Sequence, residues 1–455
     1  MIETTLQECL KAVIDNRGVT PHKRGTEWQD SGIPVLSANN VKTSGLQKLN
    51  EIRYIPEEIY PLWMKTPLER GDIILTSEAP AGEVYYWDSD EKIVLGQRLY
   101  GLKVKDWINS KYLKYYLQSS IGQKAINSQQ SGSTVFGIAA ATFPHIVVKL
   151  LNKDEQDAVA ELLYAIDSKI SNNNAICADL EGMAKLLYDY WFVQFDFPNS
   201  DGKPYKASGG KMVYNELLKR EIPVGWEVKN VVDVIEPIER GISYTSDDIK
   251  SDKGIPMLNL ACYDKRGEYR SGEMKFFSGK CTDRVYPFEM FIACTDMTQN
   301  ADIIGRPIFA PTEYKEYVYS MDLAKITPKA ISKMYLYYTL RTTFYHTYIK
   351  PFASGTNVKH LNIYGIERYP LYIPSEDIQK RFEEKIMPIK IKQQKCLQEI
   401  QELTELRNNL LPLLMNGQVT LNSCLSVYKT SIIQFANYLM GYLMGYLVGR
   451  SILLM

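Results

Sequence analysis

The stretch DEQDAVAELLYAIDSKISNNNAICADLEGMAKLLYDYWFV, Asp154 to Val193, decides how the rest of the chain is read. Apolar residues recur in it as Val159, Leu163, Ile166, Ile170, Cys177, Leu180, Ala184, Leu187 and Trp191, in steps that alternate four and three. That is a heptad seam, and such a seam leaves water only when a partner helix covers it. About 40 residues at ~1.5 Å each would make a rod of roughly 60 Å. One seam position, Asn173, is polar. A lone amide there sacrifices stability to fix register, so the partner helix is expected to carry its own polar step near mid-length.

A matching stripe occurs further along: Ile378, Phe382, Ile386, Ile389, Gln393, Cys396, Ile400, Leu403, Leu410 and Leu414, with Gln393 as the polar step. The core of an antiparallel coiled coil is therefore expected from Ile166, Ile170, Asn173, Leu180 and Leu187 against Ile389, Gln393, Ile400, Leu403 and Leu410. Two unrelated amphipathic surface helices would be the plainer reading of either stripe alone.

An internal repeat reverses that preference. Gly32-Ile-Pro-Val-Leu36 returns as Gly254-Ile-Pro-Met-Leu258. Tyr112-Leu-Lys-Tyr-Tyr-Leu117 returns as Tyr335-Leu-Tyr-Tyr-Thr-Leu340, and Ser131-Gly132 as Ser354-Gly355, at the same offset to within a single position. Leu180 and Leu187 map by that offset onto Leu403 and Leu410, so a module and its helix have been duplicated as one unit. Between the landmarks the loops differ, as in Ser37-Ala-Asn-Asn40 against Asn259-Leu-Ala-Cys262. The modules themselves read as α+β, with short β-branched runs such as Ile33–Leu36 and Asp72–Thr76 between Gly, Pro and Asn, and a helix expected over Lys111 to Asn127.

The chain of 455 residues is long enough for two to four domains. Its 53 Lys+Arg balance 53 Asp+Glu, which excludes a broadly basic nucleic-acid coat and confines any such contact to local patches. Seven cysteines form no C-x-x-C pair, and the acidic N-terminal sequence has no apolar secretory core, so a reduced, cytoplasmic compartment is expected.

Between the copies runs YDYWFVQFDFPNSDGKPYKASGGKM, Tyr188 to Met212, an aromatic helix end followed by a Gly/Pro/Ser linker that leads to Ile222-Pro-Val-Gly-Trp226. Here the sequence resembles the DNA-specificity subunit of type I restriction-modification systems, and Leu410-Leu-Pro-Leu-Leu-Met-Asn-Gly-Gln-Val419 looks like that family's close. The resemblance runs from about Gly18 to Val419. With the repeat, it implies an α+β chain of two globular target-recognition domains separated by two long helices that form an antiparallel coiled coil, with an internal pseudo-two-fold repeat. The expected divisions are a first domain over 1–150, a central spacer helix over 151–195, a linker over 196–225, a second domain over 226–373, a C-terminal spacer helix over 374–419 and an apolar low-complexity tail over 420–455. The implied partners are double-stranded DNA, two methyltransferase subunits and two restriction/translocase subunits. S-adenosylmethionine, ATP and Mg²⁺ would belong to those subunits and none to this chain.

The motifs of a DNA-modifying enzyme are missing. There is no G-x-x-x-x-G-K-[ST] loop, no Asn-Pro-Pro-aromatic motif, and no His/Cys ligand spacing. No catalytic or metal-binding residue is therefore assigned. Asp264, Glu273 and Lys275 have the outline of a nuclease metal site, a pattern that arises often by chance; a catalytic nuclease, or a coiled-coil scaffold without DNA binding, are the alternatives. For base reading, amides, guanidinium groups and hydroxyls on loops match base edges. Asn39, Asn40 and Arg98 in the first module and Asn259 and Asn357 in the second are the base-reading candidates, and Lys42, Ser131, Thr134, Lys265, Arg266, Thr356 and Lys359 complete the expected DNA-binding set. Phosphate contacts are expected from Lys23-Arg24 and Lys103 to Lys114 in the first module, and from Lys265-Arg266 with Arg270, Lys350, Lys359 and His360 in the second. The first long helix is acidic, with Asp154, Glu155, Asp157, Glu161, Asp167, Asp179 and Glu181, and should face protein. The tail carries a YLMG-YLMG-YLVG repeat in an uncharged run over 430–449, for which a membrane anchor is the least favoured reading because Gln434, Asn437 and the tyrosines weaken it.

Overall fold

A computed structural model describes residues 1–132, 136–250, 254–264, 266–270, 274–281 and 283–418. The chain divides into two compact units, residues 1–168 with those from 404 on, and residues 169–403. Both divisions fall inside the long helices, Lys153–Tyr188 and Glu376–Met415.

In the first unit an antiparallel sheet runs in the order Leu10–Asp15, Leu99–Val104, Ile73–Thr76, Val84–Tyr86. A second sheet places Ile33–Leu36 between Arg53–Ile55, antiparallel, and Val94–Leu95, parallel. Ile73–Thr76 is buried at every position, as a short unbroken apolar run predicts for a strand covered on both faces. The second unit repeats this plan: Glu239–Arg240, Leu323–Ile326, Met290–Ala293 and Pro307–Phe309 form one sheet, and Ile255–Leu258 lies between Lys275–Phe277, antiparallel, and Val318–Tyr319, parallel. The recurring glycine has a steric cause. Gly32 and Gly254 have φ of +123° and +137°, and a Cβ would lie 2.4 Å from the Ile55 carbonyl oxygen in one and 2.3 Å from that of Phe277 in the other.

The same correspondence extends to single hydrogen bonds. The Gln156 side chain accepts from Asn109 N–H and donates to Leu151 O, and Gln379, its equivalent in the second copy, accepts from Ser332 N–H and donates to Pro374 O. Tyr112 and Tyr335 each donate a hydroxyl to a strand carbonyl, of Lys149 and Tyr372. The glutamine bonds tie the first turn of each long helix to its own module, and the tyrosine bonds join a short helix to a strand within it.

One predicted helix is two. Ser110–Gln118 and Ser120–Asn127 are interrupted at Ser119, whose extended backbone closes the first helix while its hydroxyl accepts from Gly122 N–H to open the second. Thr342 makes the same break in the other copy. The linker also holds more structure than its composition suggests, with a hairpin of Met212–Asn215 and Arg220–Pro223.

Within the second unit the long helices run antiparallel: Lys169 and Asn173 meet Glu399, Cys177 meets Gln393, and Glu181 meets Lys390. The polar steps do not face each other as expected. Asn173, 2% exposed, donates to Glu399 Oε2 at 2.7 Å, whereas Gln393 donates to the Cys177 carbonyl at 3.3 Å and reaches Glu181. Ile166, Ile400, Leu403 and Leu410 are buried; Ile170, Leu180, Leu187 and Ile389 are half-buried at the edges of the seam. The first helix ends in a π-helical turn, Asp189–Val193, that sends Phe192 against Tyr335 and Phe382, with ring centroids 4.7 and 4.9 Å apart. Phe197 stacks between Tyr205 and Trp226, so the aromatic exit and the I-P-V-G-W entry form one core. Each such ring pair adds about 0.5–1.5 kcal/mol beyond its burial. No described helix is long and apolar enough to cross a membrane, and the tail repeat lies outside the described residues.

Candidate nucleic-acid interface

The segments that carry Asn39, Asn40, Arg98 and Ser131 are linked in the first module. Gly96 N–H donates to Leu36 O at 2.8 Å, pressing the 96–98 turn against the 37–40 loop. Arg98, exposed and in a left-handed conformation at φ +66°, pairs with Glu78, which bridges to Gly137; Gly137 in turn exchanges backbone hydrogen bonds with Ser131. Beside the 37–40 loop and the 96–98 turn lies a cleft of about 520 Å³ whose lining includes Asn39, Asn40 and Arg98.

The candidates differ in what they are free to do. Asn39 is exposed, but Asn40, 4% exposed, is consumed by the fold. Its carbonyl oxygen accepts from Ser37 N–H and Oγ–H, and its amide donates to Gln47 O and Lys48 O. Its side-chain amide is engaged inside the loop that it builds. Lys42 lies 3.8 Å from Glu83, and Arg98 3.3 Å from Glu78 with 53% and 37% of the two side chains exposed. A pair as exposed as Arg98–Glu78 is worth about 0–1 kcal/mol, so Arg98 can exchange its partner for a phosphate or a guanine edge, whereas Lys42 and Glu83 are only 24% and 23% exposed. Ser131 is exposed; Thr134 lies outside the described residues.

In the second module Asn259 is 3% exposed and caps Ala261 N–H at 2.8 Å, so it too is a loop-former. Arg266 is exposed beside Asp264, and Lys265 lies outside the described residues. Thr356 and Asn357 are exposed in the turn between Ala353–Ser354 and Lys359–Leu361, with Lys359 half-buried. The nuclease outline finds no support: the Asp264 carboxylate accepts from Arg266 N–H, Glu268 N–H and Arg266 Nε, and Glu273 lies outside the described residues. Among the described residues no group of three His, Cys, Asp or Glu could hold a metal.

Two lysines expected at phosphates are structural. Lys103 is bound by Glu69 and Asp72, and Lys114, 9% exposed, lies 3.0 Å from Asp167 on the long helix. Burial lowers the Lys114 pKa despite that partner. Burial also opposes ionisation of Asp167, but Lys114, the Tyr115 hydroxyl and Arg407 outweigh it and hold the carboxyl below its usual range.

Other residues at these loops escaped the sequence reading. Trp28, 42% exposed, lines the cleft with the Arg53 guanidinium 5.4 Å from its ring centroid. Asp322 is the structural counterpart of Arg98, because Ser77 N–H donates to Arg98 O as Cys294 N–H does to Asp322 O. The connection after Met290–Ala293 is nearly twice as long as its counterpart after Ile73–Thr76. Asp296 braces it by accepting from Thr298 and Ile303 N–H, leaving Met297 75% exposed. Only the offset alignment carried to every loop position would have exposed these differences.

Comparison with known proteins agrees with this architecture. The type I restriction modification DNA specificity domain matches twice, over residues 4–182 and 223–403. The type I restriction enzyme MjaIX specificity subunit of Methanocaldococcus jannaschii is 24% identical over 404 residues, covering 88% of this chain and 90% of the relative. The HindI specificity subunit of Haemophilus influenzae is 23% identical over 341 residues, covering 62% and 72%. The crystal structure of a type I restriction-modification S subunit from M. genitalium shares the fold with a TM-score of 0.55, at 15% identity and with 91% and 95% of the two chains covered. Two matched copies of one domain, each with its own module and long helix, show that this chain belongs to the type I restriction modification DNA specificity family.

Proposed function

We propose that the chain is the specificity subunit of a type I restriction-modification complex, catalysing nothing itself, with each module reading one half of a bipartite double-stranded target. The observation that carries this is a pair of like scaffolds with opposite chemistry at one loop position, Arg98 in one and Asp322 in the other. A guanidinium fork suits guanine O6 and N7, whereas a carboxylate accepts from cytosine N4. Two copies kept alike in strand order and unlike at the rim suit two different half-sites.

Docking of methyltransferase and motor-nuclease subunits is supported by a second stripe on the first long helix. Ile176, Met183, Leu186 and Tyr190 are 40%, 56%, 69% and 39% exposed, at steps of seven, three and four. That is the spacing a further helix would cover. S-adenosylmethionine, ATP and Mg²⁺ act in those partners. The test exchanges residues from about Gly18 to Leu150 for those of a relative, followed by methylome sequencing of DNA modified by the assembled complex. One half of the recognised site should change and the other remain; a change in both halves rejects separate readers.

A further inference from the structure

We propose that the cleft of the first module receives a nucleobase taken out of the stack of the bound duplex. This rests on the reading of that module as a DNA reader and adds a distortion that groove reading does not need. The cleft volume of about 520 Å³ lies within the range of about 300–1,000 Å³ typical of small-molecule pockets. Its lining supplies what an extrahelical base requires, flat faces for stacking and polar groups for the exposed edge. Trp28 and Trp63 stand with ring centroids 6.4 Å apart, and Arg53 lies over Trp28, so one aromatic face is already paired with a cation. The Trp63 indole nitrogen is buried without a hydrogen-bond partner among the described residues. Asn39, Gln97 and Arg98 are exposed at the lining and can bind an edge.

A base leaving the stack opens a gap that apolar side chains commonly fill. Phe136, 60% exposed, adjoins Gly137, which bridges to Glu78, the partner of Arg98. The loop cluster thus holds a candidate wedge beside a candidate pocket. A duplex base is favoured over a free nucleotide because Asn39 and Arg98, candidates for reading the proposed target, line the cleft, and the sequence has no G-x-x-x-x-G-K-[ST] phosphate loop.

The test uses the full chain assembled with its methyltransferase, on a duplex carrying its methylated site. Permanganate reports unstacked thymine, and chloroacetaldehyde reports unpaired adenine and cytosine. In the half-site of the first module, reactivity at one base pair other than the methylated pair should rise at least about fivefold on binding. Trp28→Ala should return it to background while Trp28→Phe keeps it, and the reactivity at the methylated pair should persist in both. Should Trp28→Ala prevent assembly, Phe136→Ala at an exposed position carries the same expectation. A wild-type complex that methylates its site with no extra reactive pair, or with one that both alanine variants leave unchanged, overturns the proposal and leaves the DNA-reading assignment standing. Quenching of tryptophan fluorescence in the DNA-free chain by deoxynucleosides, with no reactive pair on DNA, would give the cleft to a small molecule instead. Absence of any site-specific binding by the wild-type complex would remove the DNA-reading assignment itself.

Discussion

At the scale of single residues, burial decided which polar side chains are available. Asn39 and Asn40 are neighbours of one type, yet one is exposed and the other spends its side chain on four hydrogen bonds inside the loop. Residue type says what a group can bind, and only the fold says whether it is already bound. His346 is a similar case in the second module. Burial, with Arg306 and Lys350 adding to it, lowers its pKa from 6.5 to about 4, and Arg306 Nη2 lies 3.0 Å from its Nδ1. The neutral ring is favoured in the fold while the unfolded chain takes up the proton more readily. The His346 contribution is therefore complete above pH 6.5 and is lost as pH falls toward 4. Urea midpoints measured across that window should decline, and His346→Gln should flatten the decline; glutamine already occupies the matching position of the first copy, Gln123. An unchanged pH slope in the variant would mean that other groups produce it.

At the scale of elements, buried charge ties the first long helix to its partner helix and to the second module. Lys390 has 4% of its side chain exposed and lies 2.5 Å from Glu181, which also meets Arg341 at 3.4 Å. Burial opposes ionisation of Glu181, but the two cations outweigh it and lower its pKa. Glu181→Ala leaves both cations without this carboxylate and should cost about 3–5 kcal/mol of stability in denaturant titrations. Glu181→Met with Lys390→Met should recover most of that loss, because an apolar pair of similar volume avoids desolvating charge. If the double variant is no more stable than the single one, the pair is net stabilising and the desolvation argument fails here. The outward stripe has its own test. Met183→Asp with Leu186→Asp, both on exposed positions, should leave the melting temperature within about 2 °C yet abolish co-purification of the methyltransferase. Retained co-purification would place docking elsewhere.

For the whole molecule, the family match ends at residue 403 and the second long helix at Met415, so the tail lies beyond the duplicated unit. Truncation after Val419 should leave subunit assembly and the methylated sequence intact, as gel filtration and methylome sequencing would show; loss of assembly would make the tail part of the architecture. The duplicated plan itself was legible without coordinates. Heptad spacing is a local property of a helix, and a common offset between the copies is preserved wherever the same packing must be met twice, as at Gly32 and Gly254. Fold class, the two copies and the antiparallel helical pair followed from these. The tertiary structure decided everything that depends on which groups meet across the chain. It joined Asn173 to Glu399 instead of Gln393, turned Lys114 inward to Asp167, and set Arg98 and Asp322 at equivalent places. Those outcomes depend on competition among partners far apart in sequence, and periodicity carries no record of that competition.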